Sequence, residues 1–287
     1  MLNTIRENIE RRLGIERAAK PSKKGEIIEG ITEFSGRFKS WRGNEKLNNY
    51  PFVTNTYAPF TPMRRALPML NLALISSAGA YIDGTDSFDL ESRDGDMNFR
   101  EIPVEVEAED MFYAAKGYDA ESVNADRNCL IPVERLLEYE ANGVIGRLNN
   151  VWWSLSSYIP NAALVANELA PRIADRLVNY EVQAALLVPA SRLCHQTLGI
   201  VAREIERRGI PTMLISVDRP ITEKVRPPRT AYYTGNIGET VGKPNWKEYQ
   251  LRVLDESLRW IETLDQPTSR KLAVALETET EESRGER

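Results

Sequence analysis

The residue best suited to chemistry is Cys194, because it lies between a predicted strand and a predicted helix. The apolar run 184–188 predicts a buried strand that ends shortly before it. After Cys194, apolar residues recur at i, i+3, i+4 and i+7, the spacing of one buried helix face. A helix N-terminus favours negative charge, so it can lower the pKa of a thiol. Cys194 is therefore a candidate nucleophile, and His195, the only histidine in the sequence, is its neighbour.

Cys194 also has a structural interpretation, as a buried cysteine that packs like a small apolar side chain. A reactive thiolate needs a partly exposed, electropositive place, to which Arg192 and Arg203 would contribute. A dyad with His195 is the less favoured arrangement, because neighbouring helical residues point about 100° apart. Cys129 is expected in a short strand as a core thiol, with the alternative that it approaches Cys194 and resolves an oxidised sulfur.

The elements that would position these residues alternate between strand and helix. This alternation predicts an α/β fold with a mostly parallel sheet or sheets flanked by helices, Rossmann-like and doubly wound. Ligands bind such sheets at the carboxyl ends of the strands, where Ser77 and Cys194 would lie. The main predicted strands are 70–77, 184–188 and 210–217, and the main predicted helices are 132–142, 161–179 and 246–264.

Three regions are predicted along the chain. Residues 1–68 form an N-terminal amphipathic helix and an irregular wrapping segment rich in aromatic residues and proline. Residues 69–270 form the α/β region, as one body or as two lobes, 69–160 and 161–270. Residues 271–287 are a charged tail that we expect to be disordered.

Composition limits the classes of function. The 287 residues carry a formal net charge of -5, which argues against nucleic-acid binding. The sequence has no apolar run of about 18 residues and no secretion-signal pattern, so we expect a cytoplasmic protein without a membrane span. Two cysteines do not make a disulfide framework. The expected partners are a small-molecule substrate and a second copy or a partner subunit.

The sequence holds one candidate metal cluster, in the acidic loop 83–96. Its carboxylates Asp89, Asp94 and Asp96 are ligands that hard cations favour. An Asp-Gly-Asp sequence in a Ser/Gly-rich loop is more typical of a solvated turn. The glycines of 235–242 do not have the spacing of a dinucleotide-binding motif. We therefore expect neither a bound metal nor a bound cofactor.

Two segments of the Cys194 region carry a resemblance to a known family, 187–197 and 203–212. Both are similar to the glycine/sarcosine/betaine/D-proline reductase selenoprotein B family, and closest to its selenium-free branch. The resemblance covers roughly residues 58–264. The supporting stretches are Arg100–Pro103, Tyr118–Asp119, Pro132–Leu136, Gly143–Gly146, Arg226–Arg229 and Gly238–Leu254.

The resemblance implies a reductase that cleaves a carbon–nitrogen bond with a selenocysteine-x-x-cysteine pair. It places the selenocysteine position at Ser191 and the paired cysteine at Cys194, so this chain keeps half of the pair. An external thiol or a protein dithiol is the implied electron donor. The His-x-His-Tyr-Asp segment of selenium-free relatives corresponds to 115–119, where both histidines are absent, and Glu239 replaces a histidine of the glycine-rich loop.

Three hypotheses remain open. The first is a thiol-dependent reductase or related enzyme for a small nitrogen- or sulfur-bearing substrate. The second is a non-redox lyase, hydrolase or isomerase of a biosynthetic pathway, using the same pocket for acid–base work. The third is a non-catalytic subunit of a reductase-like complex, with the N-terminal helix and the loop 219–229 as contacts.

The candidate site residues are shared by these hypotheses. The candidate catalytic residues are Cys194, His195, Ser191, Glu239 and Tyr118. Arg192 or Arg203 would bind a substrate carboxylate. The full set of candidate substrate-binding residues is Arg192, Arg203, Gln196, Thr197, Ser77 and Asp119.

Overall fold

The computed structural model describes residues 30–43 and 46–274 and confirms the predicted α/β fold class. The predicted N-terminal helix lies outside the described residues, as does all of the predicted tail beyond residue 274. The strands are β1 (Asn71–Ser76), β2 (Ala80–Ile82), β3 (Phe99–Pro103), β4 (Met111–Tyr113), β5 (Arg147–Leu148), β6 (Val151–Leu155), β7 (Ala184–Val188), β8 (Thr212–Ser216), β9 (Arg229–Tyr232) and β10 (Thr268–Lys271).

The helices pack against this sheet, and one of them is interrupted. A π-helical turn, Val165–Leu169, separates α4 from α5. The helices are α1 (Ile31–Phe38), α2 (Glu121–Ala125), α3 (Val133–Ala141), α4 (Ala162–Leu164), α5 (Ala170–Asn179), α6 (Arg192–Arg207), α7 (Arg219–Val225) and α8 (Lys247–Thr263).

The central sheet has the order β10-β9-β8-β7-β1-β6-β3, and β5 also pairs with β1. All of its strand pairs are parallel except β3 with β6. The chain places β6 on one side of β1 and then crosses to place β7 on the other. This reversal makes the gap between the carboxyl ends of β1 and β7 the topological switch point, the usual ligand crevice of such sheets.

Both faces of the sheet are buried, which is why its central strands are continuous apolar runs. In β1, Leu72 and Leu74 belong to one core layer, and Ala73 and Ile75 belong to the other. All four are fully buried. Burying each large aliphatic side chain contributes about 1.5–3 kcal/mol, so the strands that carry the switch point are rigidly held.

Part of the predicted wrapping segment, residues 50–62, crosses the outer face of α6 and is called the wrapping segment below. The side-chain oxygen of Gln196 accepts a hydrogen bond from the Val53 N–H at 2.8 Å. The Arg203 guanidinium donates to the Tyr57 carbonyl at 2.6 Å. The Glu206 carbonyl accepts from the hydroxyl of Thr61 at 2.6 Å. Polar residues of α6 are therefore buried because they bind this segment.

The structure corrects two local predictions. Cys129 ends a 3₁₀ turn, Arg127–Cys129, and is not in a strand. The predicted loop 219–229 is mostly the helix α7, which is capped by the Asp218 side chain and ends where Arg226 turns left-handed. An Asp directly before a helical turn that contains proline is an N-terminal capping pattern. The proline and arginine content of this stretch had instead indicated a loop.

Candidate functional site

The candidate site lies at the switch point, where three serines surround Cys194. Its sulfur lies 3.4 Å from the Ser77 carbonyl oxygen and 3.2 Å from that of Ser157. Ser77 follows β1, Ser157 follows β6, and Ser191 follows β7. The three serines and Cys194 are 0–1% exposed. The structure thus brings together Ser77, Ser191 and Cys194, as the strand ends predicted.

Ser191 is the N-cap residue of α6 and holds the cysteine in place. Its side-chain oxygen accepts a hydrogen bond from the Cys194 N–H at 3.2 Å, the bond of a helix N-cap. The same hydroxyl donates to the Ser157 carbonyl at 3.1 Å. Ser191 is therefore engaged both as donor and as acceptor, and it positions Cys194.

The expected lowering of the thiol pKa is not what the structure provides. Burial raises the pKa of Cys194 above its ordinary value and outweighs hydrogen bonds with the Ser191 and Ser77 side chains, which lower it. The sequence placed the thiol correctly at a helix N-terminus, but loss of water around the sulfur dominates. In this closed crevice Cys194 is a protonated thiol at neutral pH.

His195 bonds to the backbone through both ring nitrogens. Its Nδ1 lies 2.7 Å from the Ser191 carbonyl oxygen, and its Nε2 lies 3.2 Å from the Val217 nitrogen. A carbonyl only accepts and an amide only donates, so Nδ1 carries the proton and Nε2 accepts. Burial lowers the pKa of His195 to about 4, so the ring is neutral at neutral pH. This geometry makes His195 a structural clamp and not a partner of the sulfur.

Tyr118 lies close to Cys194 and belongs to a loop that covers it. Its hydroxyl donates to the Ala78 carbonyl at 2.6 Å. Burial raises the pKa of Tyr118 well above its ordinary value, and the nearby Cys194 raises it further. The neighbouring Asp119 is exposed, and its carboxylate accepts from the Glu121 N–H at 2.9 Å. Tyr118 is therefore at the crevice, whereas Asp119 supports the start of α2.

Glu239 lies in a different environment from the cysteine. Its carboxylate accepts hydrogen bonds from Ser122 at 2.7 Å and Asn236 at 2.8 Å. It lines an open cavity of about 180 Å³. The other lining residues are Tyr233, Thr234, Gly235, Asn236, Gly242, Lys243, Trp246 and Tyr249.

The predicted substrate-binding residues of α6 do not converge on the sulfur. Gln196 and Arg203 bind the wrapping segment, and Thr197 donates to the Leu193 carbonyl of its own helix at 3.3 Å. Positions 194 and 196 of a helix point about 200° apart, so this separation follows from the helix itself. Arg192 is 54% exposed at the helix start and pairs with Asp218 at 2.8 Å.

Sequence reasoning missed Ser157 and Val217 as parts of this site. Each follows a strand end, in the region of the sheet where ligands bind. The signal for Ser157 was a polar residue after the buried strand β6. The signal for Val217 was its place directly after β8.

The described residues contain no cluster of three or more His, Cys, Asp or Glu side chains suited to a metal ion. The acidic loop uses its carboxylates to form turns. Asp89 accepts from the N–H groups of Glu91 and Ser92, and Asp96 accepts from that of Asn98. Among helices in the described ranges, none is long and apolar enough to cross a membrane.

The family model for glycine/sarcosine/betaine reductase selenoprotein B matches residues 45–190. D-proline reductase subunit gamma of Acetoanaerobium sticklandii is 30% identical over 200 residues, which is 70% of this chain and 81% of that protein. The chain belongs to the selenoprotein B family.

Two further relatives in this family match over a smaller share of their length. Glycine reductase complex component B subunit gamma of Symbiobacterium thermophilum is 30% identical over 191 residues, 63% of this chain and 42% of the relative. Sarcosine reductase complex component B subunit beta of Peptoclostridium acidaminophilum is 26% identical over 183 residues, also 63% and 42%. The chain thus spans less than half of these two relatives. Both names describe a subunit of component B of a reductase complex.

The stretch that matches the family model stops shortly before Cys194, the candidate nucleophile. It covers Ser77, Tyr118 and Ser157, but ends at Ala190, one residue before Ser191. No solved structure matches the chain significantly.

Proposed function

We propose that this protein is a subunit of a reductase complex in which Cys194 is the nucleophile for a small nitrogen- or sulfur-bearing substrate. The observation that carries the proposal is the position of Cys194, at the switch point of a doubly wound sheet and among Ser77, Ser157 and Ser191. Membership of the selenoprotein B family supports reductive chemistry.

The net reaction requires two electrons from thiols. The bond between a substrate carbon and its nitrogen or sulfur breaks, hydrogen replaces the leaving group on carbon, and the leaving group departs with a proton. Two thiols of an external donor or a protein dithiol become one disulfide. Because burial raises the pKa of Cys194, the thiol ionises only when the crevice opens to substrate and donor.

Arg192 is the better candidate for binding a substrate carboxylate. It is half-exposed at the start of α6, next to the crevice. Arg203 is 0% exposed and donates to the Tyr57 and Arg226 carbonyls, so its guanidinium is already occupied.

The test is substrate-dependent oxidation of dithiothreitol by the purified chain. The panel is glycine, sarcosine, betaine and D-proline, the compounds that appear in the names of the family and its relatives. We expect turnover that Cys194→Ser abolishes and Cys129→Ser retains. Retained turnover in Cys194→Ser would contradict the proposal. Product formed without dithiothreitol oxidation, lost in Glu239→Gln and retained in Cys194→Ser, would instead favour a non-redox acid–base enzyme.

The burial of Cys194 favours one second candidate, a subunit that assembles with a catalytic partner and does no chemistry itself. A 1% exposed thiol with a raised pKa is what an inert core cysteine has. The names of the relatives describe subunits of complexes. Absence of both dithiothreitol oxidation and product formation by the unmodified chain across the whole panel would favour this candidate.

A further inference from the structure

The segment Ala114–Asp119, called the cover segment below, lies over the Cys194 crevice. The Lys116 N–H donates to the Ser157 hydroxyl at 2.9 Å. That hydroxyl donates in turn to the Ala114 carbonyl at 2.6 Å. Ser157 is one of the residues in contact with the sulfur, so the cover segment closes the crevice directly above it.

Two more observations place the cover segment above the other strand ends. A Cβ atom added to Gly117 would lie 3.4 Å from the Ser191 Cβ atom, in ordinary contact. The Tyr118 hydroxyl donates to the carbonyl of Ala78, just beyond β1. Gly117 has a φ of 84° and is exposed, so the cover segment is one residue of backbone thick over Ser191.

A second loop, 234–242, also approaches the crevice but is anchored more deeply. Its Gly238 N–H donates to the Ala190 carbonyl at 3.0 Å. Thr240 and Val241 of this loop are 0% exposed. Residues 115–119 are half-buried or exposed throughout. Segments with few buried apolar contacts open at the lowest free-energy cost, so the cover segment opens before the second loop.

Lys116 fastens the cover segment to the acidic loop. Its ammonium group donates to the Leu90 carbonyl at 2.8 Å and pairs with the Glu91 carboxylate at 3.2 Å. It also lies 4.7 Å from the centre of the Tyr158 ring. The Lys116 side chain is 17% exposed, so these contacts are partly shielded from water, whereas Glu91 is 90% exposed.

We infer that the cover segment is a lid, that Cys194 is accessible only when this lid opens, and that Lys116 is its latch. The purpose of the lid, which is to admit substrate, rests on the function proposed above. The opening itself is a property of the fold that needs no turnover to detect.

The test is the rate of iodoacetamide alkylation in the native protein, read by peptide mass spectrometry. Trypsin releases Cys194 in the peptide Leu193–Arg203. We expect Lys116→Met to accelerate alkylation of Cys194 about tenfold, the order expected from losing one hydrogen bond to a charged group. Glu91→Gln, an exposed change that leaves the Leu90 contact intact, is expected to accelerate it about twofold.

Two controls separate lid opening from general loosening. Lys247→Met removes a lysine outside the crevice, whose ammonium group lies 2.9 Å from the Glu138 carboxylate. This change should leave the alkylation rate of Cys194 unchanged. Cys129 is 0% exposed and lies outside the cover segment, so its rate should be the same in every variant.

An unchanged Cys194 rate in Lys116→Met would overturn the latch. Equal acceleration of Cys194 and Cys129 would overturn it too, because the whole domain would then be opening. Failure of the proposed function would show in a different experiment. It appears as retained turnover in Cys194→Ser, whatever the alkylation rates are.

Discussion

The Nε2 atom of His195 accepts a hydrogen bond from the Val217 N–H, so the start of α6 is joined to the end of β8. The other ring nitrogen bonds to the Ser191 carbonyl at 2.7 Å. One neutral imidazole therefore fixes the turn that carries Cys194 against the next strand of the sheet. This use of both nitrogens explains why the only histidine of the sequence lies beside the cysteine without bonding to its sulfur.

Replacing His195 with phenylalanine should lower the free energy of unfolding by about 2 kcal/mol at pH 7, because a buried amide and a buried carbonyl lose their partner. Urea denaturation measures it. Lys247→Met, which alters a surface ion pair, should change stability by less than about 0.5 kcal/mol. A change for His195→Phe as small as that would show that the clamp is not structural.

The same clamp should make stability depend on pH. Burial lowers the pKa of His195 from 6.5 to about 4 in the folded protein, so the unfolded chain binds the proton first as pH falls. The contribution is present above pH 6.5 and is lost progressively as pH falls towards 4, by roughly 3 kcal/mol. The stability advantage of the wild type over His195→Phe should therefore disappear within this window and reverse near pH 4. A difference that stays constant with pH would contradict it.

Two arginines that the sequence treated alike should behave differently. Arg203→Met should lower the free energy of unfolding by about 3 kcal/mol, because its buried guanidinium donates hydrogen bonds to the carbonyls of Tyr57 and Arg226. Arg192→Met should change stability by less than about 1 kcal/mol, since its ion pair with Asp218 is half-exposed. If Arg192 binds the substrate carboxylate, its replacement should raise KM instead. A large loss of stability in Arg192→Met together with a small one in Arg203→Met would contradict the structure.

Two glycines with the same backbone angle test the position of the cover segment. Gly79 and Gly143 both have a φ of 69°. A Cβ at Gly79 would overlap the Ala114 carbonyl oxygen, whereas a Cβ at Gly143 meets nothing within 4 Å. Gly143→Ala should therefore cost about 1 kcal/mol from backbone strain alone. Gly79→Ala should cost more and should displace the cover segment, so alkylation of Cys194 is faster. Equal effects of the two substitutions would place the cover segment elsewhere.

The junction of β7 and α6 could be predicted from sequence because its signals are local. The apolar run ends at Val188, as predicted, and the helix begins at the residue after Ser191. The burial of Cys194 could not be predicted, because it depends on the cover segment, about 80 positions earlier in the chain.

The role of the polar side chains on α6 was misjudged for a related reason. Gln196 and Arg203 lie on a face that periodicity assigns to solvent or ligand. The wrapping segment covers that face, so both side chains bind backbone groups. Nothing near either residue in the sequence indicates this contact, because it joins positions more than 100 residues apart. Local propensity and hydrophobic periodicity therefore predicted the helices and strands, whereas long-range packing determined the environment of the site.

The most direct test of the central claim, that Cys194 carries the chemistry, is peptide mass spectrometry after turnover with a donor thiol. We predict a substrate-dependent covalent adduct, with substrate or with the donor thiol, on the peptide Leu193–Arg203. The peptide Asn128–Arg135, which contains Cys129, should remain unmodified. Turnover with no adduct on Leu193–Arg203, or with an adduct only on Asn128–Arg135, would contradict the account.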